Sequence, residues 1–262
     1  MRNERGFQDN WTPRTKLGEM VAQGTISLEE IFKQGMKIKE AEIVDMLLPQ
    51  LRNDLIFIGD SPGKGGGGRK TPTKRTVKMH RSGRRYKISA LVIVGTEGYI
   101  GIGKADSKEH SQAIAKALKA AKLNIIPVKR GCGSWECRCA DNHSIPFEVT
   151  GKAGSVSINL LPAPKGIGLC ISDEAKKILE MAGVKDIWSK AFGDTRTRTN
   201  YVVAVYNALK NLNSMKVHHE FAPESIKQTI EKADEQEIDL TDVAIETNET
   251  LPEETEDVVD DE

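Results

Sequence analysis

Hydrophobic positions change their period twice along this chain, and each change marks a different kind of element. Near the N-terminus, Ser27-Leu28-Glu29-Glu30 has the spacing of a capping box. It predicts a short helix burying Leu28, Ile31 and Phe32. A second apolar stretch, Ile43 to Leu48, is stopped by Pro49. The period then shortens to two. Thr76 to Lys87 alternates, and Ile88 to Val94 is a run rich in β-branched residues. Gly95-Thr96-Glu97-Gly98 supplies a turn, and Tyr99 to Lys104 reads as the returning strand. Asp106-Ser107-Lys108-Glu109 reads as a helix start. Ala113, Ile114, Ala117, Leu118 and Ala121 share one face of the helix it opens.

The alternation returns after Pro146. Phe147 to Thr150 and Val156 to Leu161 read as strands about a Gly151–Gly154 turn, and Ile167 to Ile171 as a third strand. Ser172 is placed to cap a helix through Met181 that Gly183 ends. A last helix, Thr199 to Leu212, carries Val202, Val205, Leu209 and Leu212 at helical spacing. The fold class is therefore α+β, built from two small modules. The expected divisions are an N-terminal extension (1–47), a first α+β domain (48–124), a connector (125–144), a second α+β domain (145–215) and an acidic tail (216–262). Within the first domain, Gly63 to Gly68 reads as a loop.

Composition narrows the class. The 262 residues suit two compact modules with extensions. Apolar runs such as Ala90 to Val94 fall far short of the roughly 20 residues a membrane helix needs, and no apolar stretch follows the charged N-terminus. Four clustered cysteines suggest a reducing compartment. The zero net charge conceals an asymmetry. Residues 221–262 carry 16 acidic residues against two lysines, whereas residues 1–220 carry 36 basic and 22 acidic residues. A basic body with an acidic tail points to a polyanionic partner. The tail is expected to be largely disordered beyond a short helix from Pro223 to Ala233.

The basic residues concentrate. Ser61 to Lys87 holds ten cations and no acid in 27 residues. Besides Lys64 these are Arg69, Lys70, Lys74, Arg75, Lys78, Arg81, Arg84, Arg85 and Lys87. Such crowding repels unless phosphates neutralise it. Five phosphate contacts would give a log-affinity slope against log salt of roughly −3.5 to −4.5. Aromatic residues make up only 5 % of the chain, so backbone charge and shape are expected to dominate over base stacking, which suits folded RNA. Lys104, Lys129, Arg130, Arg196 and Arg198 complete the RNA-contact set, the last two near a helix start where phosphates can sit.

Two motifs test other chemistries. Gly98-Tyr99-Ile100-Gly101-Ile102-Gly103-Lys104-Ala105 has phosphate-loop spacing, but Ala105 stands where a Ser or Thr would hold magnesium. A strand whose glycines allow close approach of a neighbour is the better reading. Cys132, Cys137, Cys139 and His143 are zinc ligand types within twelve residues. Their first pair lies farther apart than a zinc knuckle usually has it, so the spacing favours reduced, partly buried thiols over zinc. No catalytic residue, resident cofactor or small-molecule substrate is expected.

Several segments together resemble the small-subunit ribosomal protein five family. They are Gly83 to Gly95, Gly101-Ile102-Gly103-Lys104-Ala105 with the Ala-rich helix after it, Gly151 to Ser155, Leu161 to Gly168, Ala182 to Ile187 and Lys190 to Gly193. The N-terminal extension, with Trp11, Pro13 and Ser27 to Phe32, resembles the archaeal and eukaryotic branch. The resemblance implies a double-stranded-RNA-binding-like first domain and a left-handed βαβ-type second domain. It implies a structural role in the cytoplasmic small ribosomal subunit, on ribosomal RNA at the back near the head–body junction. Small-subunit proteins four and eight would be neighbours, the messenger entry channel would lie close by, and translational accuracy would depend on the chain. Arg81, Arg84 and Arg85 fall in the family's basic loop.

Overall fold

A computed structural model describes residues 11–62, 68–137, 139 and 141–214. The expected tail with its Pro223–Ala233 helix, Lys64 with most of the glycine run, and residues 1–10 lie outside the described residues. Three short helices come first: α1 (Lys16–Ala22), α2 (Leu28–Lys33) and α3 (Ala41–Leu47). The capping box forms as written, Ser27 Oγ accepting from the Glu30 amide and Glu30 Oε2 from the Ser27 amide. Leu17, Val21, Ile31 and Ile43 make a small core of their own. Phe32 is only half-buried, because it stacks on Tyr99 at 5.9 Å rather than entering that core.

The first sheet follows: β1 (Arg52–Leu55), then the β2 (Gly59–Pro62) and β3 (Gly68–Thr71) hairpin, then β4 (Thr73–His80), β5 (Gly83–Thr96), β6 (Tyr99–Ser107), α4 (His110–Leu123) and β7 (Ile125–Pro127). The strand order is β1-β5-β6-β7, with β4 also on β5. Strand β7 carries this sheet three residues into the segment expected to be connector. The helix start differs from expectation too. Asp106 and Ser107 end β6, Glu109 occupies the N-cap without a side-chain capping bond to the helix amides, and Asp106 instead meets Lys87 Nζ at 2.7 Å.

The second sheet comprises β8 (Val149–Ala153), β9 (Val156–Pro162), β10 (Leu169–Cys170) and β11 (Ile187–Phe192), in the order β10-β11-β9-β8, with α5 (Asp173–Ala182) and α6 (Arg198–Ser214). The third strand is much shorter than Ile167–Ile171. Its partner β11 was not read from periodicity at all, since Ile187-Trp188-Ser189-Lys190-Ala191-Phe192 alternates poorly. Ser172 is the α5 N-cap residue, but its hydroxyl makes no capping bond. Gly151 is a strand residue and not a turn. A Cβ there would lie 2.1 Å from Ala204 O of α6, so only glycine lets helix and strand close.

Strand β5 explains how the modules combine. Ile88, Ala90, Val92 and Val94 face Ala113, Ala117 and Ala121 of α4. Leu91 and Ile93, on the opposite face, join a larger core with Ile158, Leu160, Ile178, Leu179, Val205 and Leu209. The two modules thus share their main hydrophobic core. A strand covered on both faces reads as an unbroken apolar run.

Candidate nucleic-acid interface

Pairing of β5 with β6 begins at Ile88↔Ser107, while its pairing with β4 continues out to His80↔Gly83. Beyond Ile88 the sheet is therefore reduced to a two-stranded ribbon. Thr76 to His80, the Arg81-Ser82 turn and Arg84 to Lys87 are all exposed. Directly opposed residues in an antiparallel pair share a face. The register therefore puts Lys74, Lys78, Arg85 and Lys87 on one face and Arg75, Val77, Met79, Arg84 and Tyr86 on the other.

The two faces differ in chemistry. The first presents four cations, of which Lys87 is drawn toward Asp106 and Arg85 donates to Ser82 Oγ at 2.8 Å. Lys87's hydrogen bond holds the Asp106 carboxyl below its ordinary range. The second face is amphipathic. The Arg75 guanidinium lies 3.7 Å over the Tyr86 ring, and Val77, Tyr86 and Met79 are 47, 41 and 72 % exposed. That face carries the Arg75 and Arg84 guanidinium groups and an exposed aromatic ring that Arg75 covers on one side. Tyr86 was missed as a site residue because a lone tyrosine among cations has no periodic signal; its register opposite Val77 would have exposed it.

The remaining candidates divide. Arg69 and Lys104 are exposed, Lys104 on β6 opposite Leu91. Lys70 and Arg198 are engaged within the chain. Lys70 Nζ meets Glu174 Oε1 at 3.0 Å, and Arg198 meets the same oxygen at 3.5 Å and Asp60 Oδ1 at 2.9 Å. Burial pushes the Glu174 carboxyl up, but Lys70 and its other partners outweigh this and the net shift is downward. Arg198 is the first residue of α6 rather than part of a loop before it, and it also donates to Phe57 O. These contacts latch the β2–β3 hairpin to the second module. Asp60 and Glu174, the partners, carry no sequence signal of their own. Arg196 is exposed. Lys129 and Arg130 follow β7, half-buried, and Arg130 faces Gly183 O at 3.4 Å and Glu97 at 4.0 Å.

The phosphate-loop spacing at Gly98–Ala105 falls on β6, a strand hydrogen-bonded on both edges. Cβ atoms at Gly101 and Gly103 would come within 2.3 Å of Ala121 O and 2.1 Å of Ala117 O. The glycines admit α4 and form no phosphate cradle.

The thiol cluster is drawn together. Ligand atoms of Cys132, Cys137, Cys139 and His143 all lie within 4.8 Å of one another. Cys139 Sγ is 2.9 Å from Cys137 Sγ and 3.1 Å from His143 Nε2. On the far side of the ring, Nδ1 approaches buried Asp186 Oδ2 to 2.9 Å, a close contact without good hydrogen-bond alignment. Burial pushes the Cys132 thiol up to about 12, whereas the Cys139 side chain draws Cys137 down to about 6.

Comparison with known proteins bears on the whole arrangement. Residues 72–129 match the N-terminal domain, and residues 151–223 the C-terminal domain, of ribosomal protein S5. The chain is 47 % identical over 209 residues to the small ribosomal subunit protein uS5 of Pyrobaculum aerophilum, covering 79 % of this chain and 89 % of that protein. To the protein of that name from Thermoplasma volcanium it is 49 % identical over 214 residues, covering 81 % and 90 %. For Methanobrevibacter smithii the identity is 43 % over 210 residues, covering 79 % and 92 %.

Proposed function

Because the chain belongs to the ribosomal protein S5 family, we propose that the ribbon of β4 and β5 is its principal grip on ribosomal RNA. The protein is a structural component of the cytoplasmic small ribosomal subunit. The carrying observation is the two-stranded extension itself, which has no core beneath it and displays Lys74, Arg75, Lys78, Arg81, Arg84, Arg85 and Lys87. A ribbon held out this way gains little from folding inward. Its cations are positioned to contact backbone phosphates of folded RNA, with shape dominating over base identity. Arg69, Lys104, Lys129, Arg130 and Arg196 extend the contact. Lys70 and Arg198 join it only by leaving Glu174 and Asp60.

In this reading the protein sits at the back of the subunit near the head–body junction, beside proteins four and eight and the messenger entry channel, and supports decoding accuracy mechanically. It is assigned no catalytic step. Crosslinking intact small subunits and mapping Ser61 to Lys87 onto RNA nucleotides tests the assignment. Crosslinks clustered on β4 and β5 are expected, and their absence there with crosslinks elsewhere on the chain would overturn it. A free double-stranded-RNA-binding protein would leave the small subunit during sedimentation at moderate salt, whereas a component stays.

A further inference from the structure

We propose that Cys132, Cys137, Cys139 and His143 form a structural zinc site that folds the connector between the two sheets. The first observation is geometric. Four ligand atoms of the right kinds, three sulfurs and one imidazole nitrogen, lie within 4.8 Å of one another. Around a tetrahedral zinc with Zn–S near 2.3 Å, neighbouring sulfurs stand about 3.8 Å apart. The separations here of 2.9, 3.1 and 3.7 Å need only small adjustment to admit the ion. Reduced thiols with no common ligand have no reason to converge from a five-residue and a two-residue spacing onto one nitrogen.

The surroundings are those that hold metal ligands in place. His143 is 4 % exposed and turns Nε2 toward the sulfurs and Nδ1 toward the Asp186 carboxylate. That carboxylate is fixed in turn, its Oδ1 accepting from the Gly166 and Gly168 amides at 3.0 and 2.8 Å. Carboxylate, imidazole and metal in line is the arrangement that sets a ligand histidine's tautomer.

Among the described residues the loop is ordered by polar contacts alone, including Gly133 donating to Ile145 O and an ion pair of Asp141 with Lys165. Gly131 and Ser144 pair across its neck through two 2.9 Å hydrogen bonds, and the His143 carbonyl accepts from the Lys185 and Asp186 amides. Between those clasps no described apolar side chain is buried, and Trp135 is 89 % exposed. A closed loop without a hydrophobic centre draws its stability from coordination.

The same residues could be read as a thiol nucleophile with a His143–Asp186 base, but three thiols on one imidazole and a buried ring suit a closed metal site better. Elemental analysis of the full-length chain, purified in zinc-containing buffer and then gel-filtered, separates the two. About one zinc per chain is expected, with alkylation of the cluster blocked until a strong chelator is added. Cys137→Ser with Cys139→Ser should lower zinc at least tenfold, whereas Cys170→Ser, outside the cluster, and His143→Cys, which restores a four-ligand set, should keep it. If the double variant fails to fold, X-ray absorption of the wild type decides, the expected shell being three sulfurs near 2.3 Å and one nitrogen near 2.0 Å. A folded wild type with less than a tenth of an equivalent of zinc, one selectively alkylated cysteine, or iron in place of zinc would overturn the proposal.

Discussion

The two halves of β5 occupy one continuous strand and live under opposite physics. From Ile88 to Val94 every side chain except half-buried Ser89 is buried, alternately against α4 and against the core shared with the second module. From Arg84 to Lys87 every residue is exposed and three of the four are cations. The inner half is held by burial, at roughly 1.5–3 kcal/mol for each large apolar side chain. The outer half has only β4 for a neighbour. The backbone is the same extended ladder throughout, so what changes at Ile88 is the availability of a second surface. Where one exists the strand anchors the fold, and where none exists the strand reaches outward.

Breaking the inner half should have the largest effect. Leu91→Ala removes a fully buried side chain from the shared core and should cost about 2–5 kcal/mol in denaturant unfolding. Gly103→Ala forces a methyl against the α4 backbone at Ala117 O and should cost about 1–3 kcal/mol in the same assay. The outer half should behave the other way. Arg84→Glu with Arg85→Glu should leave stability within about 0.5 kcal/mol of wild type, while its salt-dependent RNA binding loses about 1.4–1.8 from the log–log slope. Equal slopes for variant and wild type would remove the ribbon from the interface.

Two smaller tests lie at the boundary between the halves. Tyr86→Leu keeps an apolar side chain but takes away the ring beneath Arg75, and should cost about 0.5–1 kcal/mol. The Lys87–Asp106 pair is exposed enough that its worth at neutral pH is about 0–1 kcal/mol. Because Lys87 lowers the carboxyl's pKa in the folded chain, its stabilisation is present above the ordinary carboxylate value and is lost as pH falls through the lowered one. The stability difference between wild type and Asp106→Asn should therefore shrink on acidification, as measured by unfolding at neutral and acidic pH.

Much of this was legible in the residues. The apolar run Ile88 to Val94 and the helical stripe from Ala113 to Ala121 declare themselves by composition and period, and the capping box at Ser27 fixes α2 locally. The cationic hairpin was visible as charge density, but its division into two faces depended on register, which only pairing defines. β11 escaped because it mixes Trp188, Ser189 and Lys190 in a strand held mainly by β9. The helix start at Asp106 misled because a carboxylate near a helix also suits an ion pair across the sheet, and Asp106 lies on β6 where its carboxylate pairs with Lys87 of β5. The convergence of the four ligand atoms was not legible in the cysteine spacing, because linear distance says nothing about a loop whose neck is pinned by Gly131 and Ser144.

The shared core has a consequence for how the molecule comes apart. Leu91 and Ile93 rest on Ile178, Leu179 and Val205, residues that arrive in the chain some eighty positions later or more. Truncating after the first sheet would leave that face of β5 wet, and a fragment so exposed invites aggregation rather than independent folding. Heating the intact chain should accordingly give a single calorimetric peak whose van't Hoff and measured enthalpies agree, both sheets melting as one cooperative unit.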